Sequence, residues 1–234
     1  EVAAMSGFLD ALAGAPGISV DDLLGGRALV VLSPHPDDET LGCGALLHDA
    51  SSQGVSCHVV CVTDGSRSHP NSIQWPAPRL AQQRRAELEA AMQILAPAAR
   101  LHWLGHADCA VPEDADTAAA IAALIPQGAL VLASWALDPH CDHLSVARLA
   151  QAVGAIRPDI ALRFYPIWGR FTDHAAPARL LRSSDAARRA KAAALACHRS
   201  QMSPLIEDDP QGFVMEDWRQ RHFLEHPEIV LAQP

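Results

Sequence analysis

Two short motifs concentrate the side chains that could do chemistry. His35-Pro36-Asp37-Asp38-Glu39 sets an imidazole beside three carboxylates, and Asp138-Pro139-His140-Cys141-Asp142-His143 sets two imidazoles beside two carboxylates far downstream. Catalytic zinc sites take three protein ligands of this His and carboxylate type and leave a position for water. His35 and Asp38 are three apart, a spacing that brings both side chains to one side of a turn. Asp37 is displaced around that turn, so one carboxylate can bind metal while the other faces the bound water. His140 and His143 repeat the spacing; one can complete the metal site while the other faces the substrate. An Asp ahead of a helix is often just a cap, and a lone His more often sits in a core or on a surface. The two motifs together are far more specific than either residue type alone.

These side chains need a scaffold that carries both motifs to one place. Apolar β-type runs alternate with helical patterns along the chain: strands over 28–32, 55–62, 100–104, 129–134 and 160–165, and helices over 41–52, 78–96, 117–124, 144–153 and 183–197. That alternation predicts an α/β, Rossmann-like three-layer fold with a mostly parallel sheet and helices on both faces. Each of the first four strands runs into a polar cluster. The two motifs follow the first and fourth, Thr63-Asp64-Gly65-Ser66 follows the second, and Gly105-His106-Ala107-Asp108 follows the third. Ligands of open α/β sheets bind at the carboxyl ends of the strands, so four clusters at one edge describe a single site.

Composition narrows the function classes. The 234 residues are 49% hydrophobic and carry a formal net charge of -9, enough for one sizeable core and without the basic excess of a nucleic-acid binder. No apolar stretch is long enough to span a bilayer. The N-terminus lacks the basic region of a signal peptide, and Glu1–Ala4 read as a remnant ahead of Met5. Six cysteines without a CxxC pair suit free thiols in a reducing cytoplasm. One domain over 1–234 is expected, with an N-terminal extension at 1–24 and a tail from about 206 to 234. Gly42-Cys43-Gly44 lacks the GxGxxG spacing and suits close helix–sheet packing. Cys141 is expected to pack rather than to bind metal.

PHPDDETLGCGALL followed by DPHCDH resembles the PIG-L/LmbE-type deacetylase family, with TDGS, RRAELEAAMQIL and WLGHAD in support. The resemblance runs from about Leu23 to about Leu205. It implies zinc-dependent hydrolysis of the acetyl group of an N-acetylated sugar, of N-acetylglucosamine type, or of a sugar conjugate. By residue matching it implies His35, Asp38 and His143 as the Zn2+ ligands and Asp37 as general base. His140 would face the reacting carbonyl, and Asp142 would orient His140 and favour its cationic form. Asp108 is implied as a sugar contact, and Arg84 and Arg85 compete for a second one. Trp75, Trp135 and Trp168 could stack on a sugar, and Pro166–Arg170 could line the pocket. Ser200-Gln201-Met202 also resembles a segment of the family, with no role legible. The rival functions are a metal-dependent phosphoesterase and a noncatalytic sugar-binding module.

Overall fold

A computed structural model describes residues 7–232. Helix α1 (Gly7–Ala11), strand β1 (Gly17–Ser19) and helix α2 (Val20–Leu24) come first. Then follow β2 (Leu29–Ser33), α3 (Asp38–Ser52), β3 (Cys57–Thr63), α4 (Ala77–Leu95), β4 (Arg100–His106) and α5 (Ala115–Leu124). Next are β5 (Leu130–Ser134), α6 (Cys141–Ile156), β6 (Ala161–Tyr165), a 3-10 turn at Trp168–Phe171 and β7 (Ala178–Arg182). Helices α7 (Asp185–Leu195), α8 (Arg199–Met202) and α9 (Asp217–Glu225) and strand β8 (Ile229–Leu231) complete the described chain.

The strands form one eight-stranded sheet in the order β1-β7-β8-β6-β5-β2-β3-β4. All pairings are parallel except those of β8 with β6 and β7. Successive side chains of a strand point to opposite faces. Leu29 and Val31 accordingly join Leu46 and Leu88 in one hydrophobic layer, while Val30 and Leu32 join Ile121 and Val146 in the other. Helices α3, α4 and α7 pack together, and so do α5 and α6. This is the three-layer, mostly parallel architecture expected.

Helices α3 and α6 both start three residues before the expected Leu41 and Leu144. Their first turns are the motifs themselves, whose polar side chains face the site and so carry no apolar periodicity. The segments expected to flank the fold are built into it. Within 1–24, β1 pairs with β7, and within 206–234, β8 lies between β6 and β7. Three-residue strands are too short to show a period of two. Glu1–Ala4 lie outside the described residues. Among the described residues, no helix is long and apolar enough to cross a membrane.

Gly42 serves close helix–sheet approach, as expected, whereas Gly44 lets helix α7 approach. A Cβ on Gly42 would collide with the Tyr165 ring, and one on Gly44 would come within 3.2 Å of Lys191 Cγ. Lys191 thereby reaches into α3. Its Nζ donates to the Leu41 carbonyl at 2.7 Å and lies 2.7 Å from Glu228 Oε1. Glu228 in turn accepts from the Ala45 and Leu46 N–H groups at 2.7 and 3.0 Å. In a regular helix the Ala45 N–H would bond the Leu41 carbonyl. The ion pair serves both groups from outside, one turn behind Asp38.

Candidate active site

The loop after β2 is fastened to β3: the Pro34 carbonyl accepts from Thr63 N–H at 3.0 Å and from Thr63 Oγ1 at 2.8 Å. The chain then turns sharply into α3. Asp37 has φ 151°, a region costly for any side-chain-bearing residue. Its surroundings over-determine that conformation. The Asp37 N–H donates to Glu39 Oε2 at 3.1 Å, and Arg84 Nη2 donates to Asp37 Oδ2 at 3.1 Å. Glu39 is itself held by Ser33 Oγ at 3.1 Å and Thr40 Oγ1 at 2.6 Å, with His198 Nε2 3.4 Å away. Burial raises the Asp37 carboxyl to about 6, with Arg84 opposing and Asp38 adding to the rise.

The three expected ligands meet. Asp38 Oδ2 lies 3.3 Å from His35 Nδ1 and 3.1 Å from His143 Nε2. All three residues are buried. His143 Nδ1 lies 3.3 Å from Asp138 Oδ1, whose other oxygen accepts from the Ile167 and Gly169 N–H groups at 2.9 and 3.1 Å. Both ring nitrogens of His143 are buried without a hydrogen bond, despite these short approaches. His35 Nε2 approaches Asp142 Oδ2 at 3.0 Å and Asp108 Oδ1 at 3.4 Å. Two buried imidazoles among four buried carboxylates leave the cluster anionic even with both rings protonated, and a bound cation would offset that charge. The residues therefore fit a metal cation held by His and carboxylate donors, the donor types of catalytic zinc sites. The same charges tell on the protonation equilibria. Burial works against ionisation of Asp38, yet His143 and His35 hold it well below the usual carboxylate range. Burial likewise opposes the cationic form of His143, but Asp38 and Asp138 lift it to about 10.

His140 caps α6, its Nδ1 accepting from the Asp142 N–H at 3.3 Å. Its ring stands edge-on to His35 at 4.7 Å and tilted to His143 at 5.2 Å between centroids. Nitrogens of all three imidazoles come within 4.8 Å of one another. The expected pairing of Asp142 with His140 is corrected here. The Asp142 carboxylate turns inward to His35 and to the Cys109 N–H, which donates to it at 2.7 Å. One residue caps the helix while the other sits inside its first turn, so the two side chains diverge. Burial, followed by His35 and His143, pushes His140 down to about 4, so its neutral form is favoured.

Of the two arginines, only Arg84 belongs to the site. It is 3% exposed and donates to the Gly65 and Pro36 carbonyls at 2.9 and 3.1 Å as well as to Asp37. Gly65 has φ 61°, and a Cβ there would strike the guanidinium. Arg85 is corrected as a substrate contact: it is on the surface, paired with Glu89 at 3.0 Å. Asp108 is buried beside His35, and one oxygen accepts from the Arg67 N–H at 2.9 Å.

His35, Asp37, Asp38, Arg84, Asp108 and His140 line a cavity of about 650 Å³, with His143 and Asp142 buried behind them. Much of the rest of its lining comes from the C-terminal part of the chain, including Gln201, Phe213, Met215 and Arg219, together with Trp168. Gln201 Nε2 donates to Ser68 Oγ at 3.0 Å, and Ser200 binds the Glu87 carboxylate through N–H and Oγ at 2.9 and 2.6 Å. Of the three tryptophans considered, Trp168 faces the cavity; Trp135 is buried in the core and Trp75 carries the Arg79 guanidinium 3.9 Å from its ring. Sequence reasoning missed the supporting roles of Asp138, Glu39 and His198. The first two lay inside the motifs and were legible as a carboxylate surplus. His198 carried no local signal.

Comparison with known proteins places the chain. The family model described as PIG-L, GlcNAc-PI de-N-acetylase, matches residues 30–154. A search of curated proteins gave no match. Among solved structures, N,N'-diacetylchitobiose deacetylase from Pyrococcus horikoshii superposes with TM-score 0.69 at 22% identity, over 88% of this chain and 84% of that one. A conserved protein from Thermus thermophilus has TM-score 0.63 at 26% identity, over 88% and 94%. A 4-carboxy-2-hydroxymuconate hydratase from Pseudomonas putida has TM-score 0.60 at 20% identity, over 85% and 82%.

Proposed function

The chain belongs to the PIG-L family, and from that premise we propose that it is a zinc-dependent hydrolase removing the acetyl group of an N-acetylated sugar of N-acetylglucosamine type, or of a sugar conjugate. The observation that carries this reading is the meeting of His35, Asp38 and the buried His143, the first two lining the cavity beside the Arg84-held Asp37. The deacetylase of similar fold supports it. The hydratase of similar fold shows that architecture alone does not choose the chemistry.

His35, Asp38 and His143 would hold the metal, which when bound supplies Lewis acidity toward water and the amide carbonyl. Asp138 orients His143 from behind, as outer carboxylates commonly do. Asp37 takes a proton from the attacking water and returns it to the leaving amine. Arg84 keeps its carboxylate aimed at the cavity. His140, packed beside His35 and His143, donates from its ring N–H to the developing oxyanion. Asp108 and Trp168 offer the sugar a hydroxyl acceptor and a flat apolar face. The chain is read as one domain working in the cytoplasm, with no nucleic-acid partner.

Two-metal phosphoesterase chemistry fits less well. A second set of ligand atoms, from His35, Asp108 and Asp142, shares His35 with the first. The deciding experiment is acetate release from N-acetylglucosamine, N,N'-diacetylchitobiose and an N-acetylglucosaminyl phospholipid, with phosphate esters and an unsaturated dicarboxylate as contrasts. Acetate release that is lost on chelation and restored by zinc is the expected result. Turnover of a contrast substrate alone would overturn the reading.

A further inference from the structure

A second cluster of donors lies beside the first and has no part in the mechanism beyond the imidazole they share. Cys109, His140 and Cys141 each present a ligand atom within 4.8 Å of the other two. Cys141 Sγ is 4.0 Å from His140 Nδ1. The two thiols come from distant places: Cys109 follows β4 and Cys141 opens α6. Cys109 has φ 60°, a left-handed conformation rare for cysteine, and there its backbone N–H donates to Asp142. Its thiol donates to Asp108 Oδ1 at 3.4 Å, so a carboxylate stands next to the cluster. Both cysteines are exposed, whereas Cys43, Cys57 and Cys61 are buried.

Two thiols and an imidazole are the donor set of a Cys2His site with a fourth position open, and thiolate ligands select zinc and softer ions. Zn–S bonds of about 2.3 Å put two tetrahedrally arranged sulfurs roughly 3.8 Å apart. The observed spacing closes to that by rotamer changes of exposed side chains. Binding would release both thiol protons to solvent and leave two thiolates facing a divalent cation.

We propose that Cys109, Cys141 and His140 form a second, thiolate-rich metal site at the edge of the cavity, taking zinc or cadmium, and that its occupation withdraws His140 from the reaction. The binding stands on the cluster's geometry alone; the inhibition rests on the role of His140 in the proposed deacetylation.

Metal-stripped protein kept reduced is titrated with cadmium, with ultraviolet absorption followed for thiolate-to-metal charge transfer. Two equivalents are expected, one of them giving the band. Cys109→Ser/Cys141→Ser should lose the band and one equivalent and keep the other. Asp38→Asn should keep the band and weaken the second, spectrally silent equivalent. A wild-type titration with no band, or a band unchanged in the double serine variant, overturns the site. In acetate-release assays the zinc concentration giving half inhibition should rise at least tenfold in Cys141→Ser. Equal inhibition of both proteins overturns the link to His140, while the cadmium result continues to report on the site itself.

Discussion

Arg84 Nη2 lies 3.1 Å from Asp37 Oδ2, and both side chains are buried. The same guanidinium bonds the carbonyls of Pro36 and Gly65, so α4 holds the loops after β2 and β3 together around the proposed base. This arrangement separates the tasks of residues that look alike in sequence.

Asp37 and Asp38 should respond differently to the same substitution. Asp37→Asn keeps zinc and loses about 10²- to 10⁴-fold in turnover, the usual range for a positioned general base. Asp38→Asn weakens zinc binding, with activity partly recovered by added metal. Zinc titrations and acetate-release kinetics on both variants check this. Near-normal turnover of Asp37→Asn at saturating zinc would mean that another group takes the proton.

Arg84 and Arg85 are neighbours with opposite expected outcomes. Arg84→Met leaves the Asp37 carboxylate buried without its cation, and breaking a buried pair costs about 3–5 kcal/mol. Arg85→Ala removes an exposed pair with Glu89, worth about 0–1 kcal/mol. Urea midpoints and acetate-release rates of the two variants give the comparison; equal losses would contradict the assignment.

Asp138→Asn keeps the size of the side chain and weakens its hold on His143 Nδ1. Zinc affinity or activity should fall about 10- to 100-fold, as for other residues that orient a metal-binding histidine. Isothermal titration with zinc measures it directly, and an unchanged affinity would show that Asp138 serves only the Ile167 and Gly169 backbone.

Lys191 and Glu228 should be coupled in stability. Lys191→Met strands a buried carboxylate, with an expected loss of about 3–5 kcal/mol. In Lys191→Met/Glu228→Gln the charge is gone while one amide oxygen still accepts from α3, so part of the loss returns. Chemical denaturation of the single and double variants reads the coupling. Strict additivity would argue against the pair acting as a unit.

Local pattern alone determined a good deal about this protein. Alternating apolar strands and amphipathic helices predict the parallel core, because periods of two and of 3.6 residues are properties of the backbone. The grouping of His35, Asp38 and His143 was also legible, because strand ends of a parallel sheet share one edge. What the tertiary structure decided depends on directions that adjacent residues do not share. Arg84 and Arg85 are a helical step apart, and only the packing of α4 turns one inward and the other to solvent. Asp142 was expected beside its neighbour His140, but the helix start divides them and sends the carboxylate to His35. Much of the cavity lining and strand β8 come from the C-terminal part of the chain, whose short elements have no period of their own. Their positions are set by the sheet edge and core they cover.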